Sequence, residues 1–181
     1  MIRETRETRV EVELRPGEAP HVETPVPFLS HMLETFLHYA DLGGRIKAVA
    51  LRDLDEGHHV IEDTALALGS ALAELLGDRR AIARYGWAAV PMDDSLALAA
   101  VDLGGRPYWV VKARLPRATI GGYPTYMFKH WVRSLASAAG ATIHVYARGS
   151  DPHHVIEAAH KALGLAFRQA MAPSAKAMTT K

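Results

Sequence analysis

The residues best suited to chemistry in this chain lie in two copies of the pentapeptide HHVIE, which begin at His58 and His153. Each copy combines two imidazoles with one carboxylate. If a copy opens a helix, its first histidine and its glutamate, such as His58 and Glu62, share one face and can chelate one cation. The second histidine of each copy, His59 or His154, points about a quarter-turn away, so we expect it to serve a different metal centre.

Two further histidines, His31 and His130, lie in the segments that precede the two copies. The whole pool is six imidazoles and two carboxylates, enough for two sites of three histidines and one glutamate. The candidate ligands are His31, His58, His59, Glu62, His130, His153, His154 and Glu157. Nitrogen and oxygen donors without sulfur suit Mn²⁺, Fe²⁺, Co²⁺, Ni²⁺ or Zn²⁺. Four protein ligands on a six-coordinate ion leave two positions for a substrate, which favours an octahedral ion such as Mn²⁺ over tetrahedral zinc.

A solvated surface patch is the alternative explanation of the repeated pentapeptide. A single histidine pair at the start of a helix is more often an exposed first turn than a ligand set. An identical second copy, again preceded by a predicted helix that contains a histidine, favours metal ligands. The other histidines, His21, His38, His144 and His160, are interpreted as solvated or structural.

Alternating strands and helices are predicted to position these residues. Period-two alternation predicts strands, and helical spacing of apolar residues predicts helices. The predicted strands are residues 10–14, 45–51, 95–103, 108–115 and 142–146, and the predicted helices are residues 28–39, 59–76, 126–139 and 153–171. The proline-rich residues 15–27 are predicted to be a loop. Asp151 and Pro152 are predicted to begin the last helix, as N-cap and first helical residue.

The order of these elements indicates an internal duplication. A shift of 95 residues superposes the two pentapeptides and places Gly69 on Gly164, and a shift of 99 places His31 on His130. We predict an α+β fold of two half-repeats, each a small mixed sheet covered by two helices. The half-repeats are residues 1–85 and 86–172, and residues 173–181 form a tail predicted to close over substrate.

The bulk composition excludes several classes of protein. The 181 residues carry 21 Lys and Arg against 20 Asp and Glu, and a net charge of +1 favours neither nucleic acid nor a membrane as a partner. There is no cysteine, hence no disulfide and no thiolate ligand. The charged stretch MIRETRETRV lacks the apolar core of a signal peptide, and no apolar run could span a bilayer, so we expect a soluble cytoplasmic protein.

Seven motifs occur in the order seen in the imidazoleglycerol-phosphate dehydratase family. They are FLSHML, HHVIEDTALALGSAL, GDRRAIARYG, PMDDSLA, DLGGRPY, HWVRSLA and DPHHVIEAAHKALGLAFRQA. The chain resembles that family from RETRET to PSAK, and the paired HHxxE motifs with GGRPY between them are highly specific. The resemblance implies a duplicated α+β unit with helices packed between two sheets. It also implies trimers that join, with metal at their interfaces, into a hollow homo-oligomer of cubic symmetry.

The resemblance also assigns roles to individual residues. It implies that the eight candidate ligands hold two manganese ions. Family contacts to substrate and phosphate fall on Glu7, Arg84, Arg106, Lys161, Ser174 and Lys176. The family reaction removes water from imidazoleglycerol phosphate to give imidazole acetol phosphate in histidine biosynthesis. Bound metal would stabilise the imidazolate form of the substrate, and Glu7 with Glu157 would carry the protons.

This chain departs from the family pattern at several positions. The departures are Ser30, Thr35, Tyr39 in place of a second helix histidine, Gly57, Val60, Ala175 and Ala177. A non-catalytic metal-binding relative with an altered substrate pocket is therefore an alternative function. The residues that argue for the enzyme are Glu7, Arg84, Arg106, Lys161 and Lys176. A two-metal phosphoester hydrolase is a third hypothesis, but such sites usually use bridging carboxylates, which a histidine-rich set fits less well.

Overall fold

The computed structural model describes residues 1–52 and 56–174, which form two four-stranded sheets, a short two-stranded sheet and four helices. The helices are α1 (Pro27–Tyr39), α2 (His58–Leu76), α3 (Met127–Ala139) and α4 (Pro152–Met171). The first sheet contains β1 (Ile2–Glu4), β2 (Thr8–Pro16), β3 (Pro20–Glu23) and β4 (Leu42–Ala50). The second contains β5 (Tyr85–Met92), β6 (Ser95–Asp102), β7 (Tyr108–Ala113) and β10 (Thr142–Arg148). The short sheet pairs β8 (Thr119–Ile120) with β9 (Tyr123–Pro124).

The two large sheets have the same topology. The strand order is β1-β2-β4-β3 in the first sheet and β5-β6-β10-β7 in the second. In each sheet one central strand, β4 or β10, is antiparallel to one neighbour and parallel to the other. Each of these strands connects a helix that contains His31 or His130 to a helix that HHVIE opens. The predicted α+β class is confirmed and the repeat is visible in the topology, while the boundaries between residues 85 and 86 and at residue 172 stay a prediction.

The four helices form a layer between the two large sheets, as the family resemblance implied. Helices α1 and α2 cover the first sheet, α3 and α4 cover the second, and α2 packs on α3 while α1 packs on α4. Gly69 and Gly164, which are equivalent in the repeat, lie at these helix contacts. A Cβ at Gly69 would come within 2.8 Å of backbone atoms of α3, and one at Gly164 within 2.6 Å of a backbone oxygen of α1. Glycine at both positions therefore lets the helices approach closely.

Apolar side chains from both sheets and all four helices form one continuous core. At its centre the ring of Phe36 in α1 meets Trp131 in α3 and Phe167 in α4 edge-on, with ring centroids 6.1 and 5.3 Å apart. Aromatic contacts of this geometry add to the energy of apolar burial. They join three helices to one another, so the core sets the positions of the side chains at the helix N-termini.

Most predicted elements are confirmed, with bounds that shift by a few residues. The prediction that residues 15–27 form a loop is wrong in part, because β3 lies inside this stretch and pairs in parallel with β4. The apolar pattern also does not predict β5, since its buried positions include the small residues Gly86 and Ala88. Small buried residues weaken the alternation that marks a strand. No helix in the described ranges combines the length and the apolar character needed to cross a bilayer.

Candidate active site

All four helices begin at the same end of the helical layer. Val26, just before α1, lies against the start of α2, where a Cβ on Gly57 would come within 2.9 Å of the Val26 side chain. The ring of Phe28, at the start of α1, lies 5.0 Å from that of His153 at the start of α4. The Phe28 amide donates to the Gly121 carbonyl in the hairpin before α3. The histidines near these N-termini are therefore brought to one end of the molecule.

Three side chains from α2 and α3 form the first cluster: His58, Glu62 and His130. The Nε2 atom of His58 lies 3.7 Å from one carboxylate oxygen of Glu62, and Nε2 of His130 lies 3.1 Å from the other. Each residue offers one ligand atom, and these atoms lie within 4.8 Å of one another. His58 and Glu62 are one helical turn apart on α2, as their spacing predicts.

The second cluster repeats this arrangement with His153 and Glu157 of α4 and His31 of α1. Oε2 of Glu157 lies 3.0 Å from Nε2 of His153 and 3.4 Å from Nε2 of His31. The carboxylate of Asp151 accepts from the His153 amide at 2.8 Å, and Pro152 occupies the first turn. The predicted start of this helix is confirmed, and it fixes the turn that presents His153.

Glu157 is more buried than Glu62 and has a cation beside it. Its side chain is 10% exposed, against 32% for Glu62. Nζ of Lys161 donates to Oε1 of Glu157 at 3.0 Å, which leaves Oε2 facing the two histidines. Burial alone would raise the pKa of Glu157, but the hydrogen bond and charge of Lys161, together with the hydrogen bond to His153, outweigh it and lower that pKa. The carboxylate form that metal binding requires is thereby favoured.

His59 and His154 belong to neither cluster, so within the described residues each cluster has three ligands where the sequence predicted four. Nδ1 of His154 hydrogen-bonds Oδ1 of Asp94 at 2.7 Å, while its Nε2 lies 3.6 Å from Asp93. The hydrogen bond with Asp94 raises the pKa of His154, and it lowers that of Asp94. A histidine held by a carboxylate in this way has a fixed ring orientation.

The donors of both clusters fit a divalent metal ion. Imidazole nitrogen and carboxylate oxygen are a combination that Mn²⁺, Fe²⁺ and Zn²⁺ all accept. Nε2 of His130 is buried and makes no hydrogen bond within residues 1–52 and 56–174, although an oxygen of Glu62 lies 3.1 Å away. A buried polar atom without a partner is unfavourable. A metal ion between His130 and Glu62 would supply that partner.

Glu7 lies in the turn between β1 and β2, where its main chain is held on both sides. Its amide donates to Oγ1 of Thr5 at 3.2 Å, and its carbonyl accepts from the amides of Leu51 and Arg52 at 2.7 and 3.2 Å. The Glu7 side chain is partly exposed and has no hydrogen bond or ion pair with any residue that the structure describes. Because Leu51 and Arg52 directly follow β4, which leads toward α2, Glu7 lies at the end of the molecule where α2 begins.

Arg84 is buried directly before β5, with a left-handed backbone conformation of φ 72°. Its guanidinium donates to both carboxylate oxygens of Asp102, at 2.7 and 3.1 Å. The hydrogen bond to Asp102 raises the pKa of Arg84. Asp102 also accepts from the Gly104 amide at 2.9 Å, and it thereby ties Arg84 to the GGRPY loop in which Arg106 is exposed. Two predicted phosphate contacts therefore lie together at the end of β6.

These arginines lie far from the second cluster of the same chain. The Arg84 amide donates to the carbonyl of Ala170, near the C-terminal end of α4, at 2.8 Å. Ala170 is 13 residues beyond Glu157 on that helix, which corresponds to roughly 20 Å along its axis. Among the predicted substrate contacts, Lys161 lies beside the second cluster of its own chain, where it pairs with Glu157.

The C-terminal tail runs beside the segment that precedes β5. The Ser174 amide donates to the Ala81 carbonyl at 2.9 Å, and Pro173 forms a bridge with Ile82. Ser174 therefore lies at the same end of α4 as the buried arginine. Lys176 lies outside the described residues, and closure of the tail over substrate stays a prediction.

Comparison with known proteins decides the family. Residues 24–167 match the family model of imidazoleglycerol-phosphate dehydratase. The chain is 71% identical to imidazoleglycerol-phosphate dehydratase from Pyrobaculum calidifontis over 179 residues, which is 99% of this chain and 96% of that relative. This chain belongs to the imidazoleglycerol-phosphate dehydratase family. The predicted family and its hydro-lyase class are confirmed.

Imidazoleglycerol-phosphate dehydratases of known structure share this fold. The crystal structure from Pyrococcus furiosus is 38% identical and has a TM-score of 0.87, covering 99% of this chain and 98% of that chain. The crystal structure from Staphylococcus aureus is 30% identical and has a TM-score of 0.83, covering 96% and 98%. The histidine biosynthesis bifunctional protein HisB of Stenotrophomonas maltophilia is 44% identical over 98% of this chain, which corresponds to 50% of that longer relative.

Three aspartates that the sequence patterns do not single out support the predicted site residues of this dehydratase. Asp94 holds His154, Asp102 holds Arg84, and the buried Asp63 directly follows the first pentapeptide. Each stands inside or next to a recognised motif, PMDD, DLGGRPY or HHVIED. Being close to a motif is only a weak signal of such a role, because most aspartates are exposed to solvent. The residues that Asp94 and Asp63 hold also come from distant parts of the chain.

Proposed function

We propose that this dehydratase converts imidazoleglycerol phosphate to imidazole acetol phosphate, in histidine biosynthesis, at a centre that holds two Mn²⁺ ions. The observation that carries the proposal is the pair of equivalent clusters, each of two histidines and one glutamate, at one end of the helical layer of a family member. The substrate suits such a pair, because its imidazole ring offers nitrogen donors of the kind that these metal ions accept. Location in the cytoplasm also stays a prediction.

The first cluster of each chain would hold one ion and the second cluster the other. His59 and His154 stand apart from the clusters of their own chain, and each would complete a site of a neighbouring chain. When bound, the metal ions act as Lewis acids that stabilise negative charge on the substrate ring. The protein must supply neutral imidazoles and ionised carboxylates for this, and Lys161 keeps Glu157 ionised.

Copies of the chain would associate into trimers, and the trimers into a hollow particle of cubic symmetry with metal at their interfaces. The outer face of the second sheet supports such contacts, because it exposes large apolar side chains. These are Tyr85, Trp87, Leu96, Leu98, Tyr108 and Tyr146. Exposed apolar surface of this kind marks protein–protein contacts.

The substrate phosphate would be bound by a chain other than the one that supplies the second cluster. Arg84, Arg106 and Ser174 lie at the far end of α4, roughly 20 Å from Glu157, so a single chain cannot combine them with that cluster. The carboxylate of Asp102 fixes the Arg84 guanidinium in one orientation. Arginine forks match phosphate geometry. Lys176, outside the described residues, stays a predicted contact of the phosphate.

Proton transfer would be divided between Glu7 and Glu157. Glu157 is engaged on both oxygens, by Lys161 and by the two histidines of its cluster, so its part is chiefly to bind metal. The Glu7 carboxylate has no partner in the described chain and is free to take a proton from the substrate carbon that loses hydrogen. The hydroxyl on the neighbouring carbon takes up a proton, which Glu7 or Glu157 would return to it, and leaves as water, so the phosphate ester stays intact.

Product analysis tests this proposal directly. Metal-stripped protein is incubated with imidazoleglycerol phosphate, with and without Mn²⁺, and both imidazole acetol phosphate and inorganic phosphate are measured. We expect manganese-dependent imidazole acetol phosphate without phosphate release. Phosphate release would instead support a phosphoester hydrolase. Manganese binding without any product would support a non-catalytic metal-binding relative.

A further inference from the structure

Asp63 is a buried carboxylate that the proposed reaction does not use. It directly follows Glu62 in α2, and its hydrogen bonds within the described residues are with the N-terminal segment. Nε of Arg3 donates to Oδ1 of Asp63 at 2.7 Å. The hydroxyls of Thr8 and Thr5 both donate to Oδ2, the latter at 3.4 Å. The carboxylate therefore joins α2 to three side chains of the stretch RETRET.

The hydroxyl of Thr5 also holds the main chain of Glu7. Oγ1 of Thr5 accepts from the amides of Glu7 and Thr8, at 3.2 and 3.0 Å. The Thr5 amide in turn donates to the Thr8 carbonyl at 2.9 Å, which closes the turn. A short chain of hydrogen bonds thus runs from Asp63 through the Thr5 hydroxyl to the backbone of Glu7.

The internal repeat shows that this carboxylate is not needed for the helix to pack. The shift of 95 residues that superposes the two pentapeptides places Ala158 at the position of Asp63. Ala158 is fully buried in α4, which packs on its own sheet. The equivalent helix position in the second half therefore packs with an alanine. A buried carboxylate in the first half, where alanine suffices for packing, indicates a task specific to the first half.

We infer that Asp63 is a positioning residue for Glu7. It fixes the RETRET turn on the second turn of the helix that carries His58 and Glu62, so that the Glu7 carboxylate keeps a constant place relative to the first cluster. The inference rests on the proposed function, in which Glu7 takes the substrate proton. Positioning of this kind acts on turnover, since a displacement of about 1 Å at a reacting group can lower the rate about 100-fold.

A double-mutant cycle with Glu7 tests the inference. Asp63→Asn keeps the size of the side chain but replaces one acceptor oxygen by a donor. We expect it to lower kcat about 10- to 100-fold while KM changes less than about threefold, with manganese content and particle mass unchanged. In a Glu7→Gln background the same substitution should lower kcat no further. An equal loss in both backgrounds, or no loss in either, would overturn the inference.

Two further variants keep the test decisive. Asp78→Asn, an exposed carboxylate just beyond the C-terminal end of α2, is the charge-matched control and should leave kcat unchanged. If Asp63→Asn does not assemble, Thr8→Val removes one donor to the same carboxylate and should give a smaller loss that again disappears with Glu7→Gln.

Hydrogen exchange makes the positional claim independent of turnover. The amides of Glu7 and Thr8 should exchange at least about 10-fold faster in Asp63→Asn than in the wild type, because the turn loses its anchor on α2. Unchanged exchange would overturn the inference even in an active enzyme. Faster exchange in a protein without dehydratase activity would show that Asp63 positions Glu7 although the proposed function is wrong.

Discussion

The two halves of the chain share a topology and a pentapeptide, yet they surround their clusters differently. In the second half Glu157 is buried and paired with Lys161. In the first half Glu62 is more exposed, and the repeat places Leu66 where the second half has its lysine. In both clusters the ligand atoms lie within 4.8 Å of one another. The helix spacing thus fixes the ligand geometry, while the residues around it set the charge and burial of each cluster.

The outer faces of the two sheets differ in the same way. The first sheet presents ion pairs such as Arg9 with Glu11 and Arg15 with Glu13. The second presents aromatic and aliphatic side chains such as Trp87. Ion pairs at this exposure contribute little stability and keep a surface solvated, whereas exposed apolar side chains favour contact with another chain. We therefore expect the proposed assembly to use the outer face of the second sheet rather than that of the first.

The largest expected effect comes from removing one carboxylate of each cluster in turn. Glu62→Gln and Glu157→Gln should each reduce bound manganese from two ions to one per chain. Each should also lower turnover more than about 100-fold, because changing a residue that only supports a metal ligand already costs about 10- to 100-fold. Glu157→Gln should also lower the free energy of unfolding by about 2 kcal/mol more than Glu62→Gln, because it leaves the Lys161 cation without its partner. Metal analysis and urea unfolding measure both quantities. Equal stability of the two variants would contradict the difference between the clusters.

A lysine placed on the outer face of each sheet should affect assembly differently in the two halves. Trp87→Lys places a cation on the apolar face of the second sheet and should convert the large particle into smaller species. Val49→Lys makes the matched change on the first sheet, where Val49 is exposed among charged residues, and should leave the particle intact. Light scattering gives the masses. Loss of the particle in both variants would remove the distinction between the faces.

The orientation of His154 by Asp94 should matter for metal affinity. Asp94→Asn should weaken manganese binding about 10- to 100-fold at the site that His154 completes, as expected for a partner of a ligand histidine. Asp93→Asn is the matched control, because Asp93 is more exposed and lies 3.6 Å from the same ring. Manganese titration should show little change in this control. A similar loss in both variants would mean that the local negative charge, rather than the hydrogen bond to Nδ1, sets the affinity.

The effect expected to be smallest at neutral pH is a pH dependence of stability, which His160 gives to the second half. Burial lowers the pKa of His160 to about 4 from an ordinary value of 6.5, and the repeat places Ala65 at its position in the first half. Between these values the unfolded chain binds a proton that the folded chain does not, so stability falls as pH falls from 6.5 toward 4. The loss is up to about 3 kcal/mol at 1.4 kcal/mol per pH unit.

His160→Gln should remove this part of the pH dependence. Urea unfolding of metal-stripped wild type and variant between pH 4 and 7 measures the difference. Parallel stability curves would show that His160 does not titrate in this window.

The sequence allows much of this site to be predicted. Helical spacing pairs each first histidine with its glutamate, and the duplication relates the two pairs, because both follow from local geometry and exact repetition. That one chain brings three ligands, rather than four, together in each cluster could not be predicted, because it depends on how the helices of that chain pack against each other. The apolar pattern of the sequence also did not predict that β3 pairs in parallel with β4, or that the small residues of β5 form a strand. Asp94 and Asp63 act through partners about 60 residues away in sequence, a separation that no local spacing reveals.

We propose that the two clusters act together despite their unlike surroundings, and that a neighbouring chain completes each of them. Titration of metal-stripped protein with Mn²⁺, following bound manganese, particle mass and turnover in the same samples, tests it most directly. We predict that turnover rises together with assembly and reaches its maximum at two manganese ions per chain. Full turnover with one ion per chain, or by unassembled chains, would contradict the account.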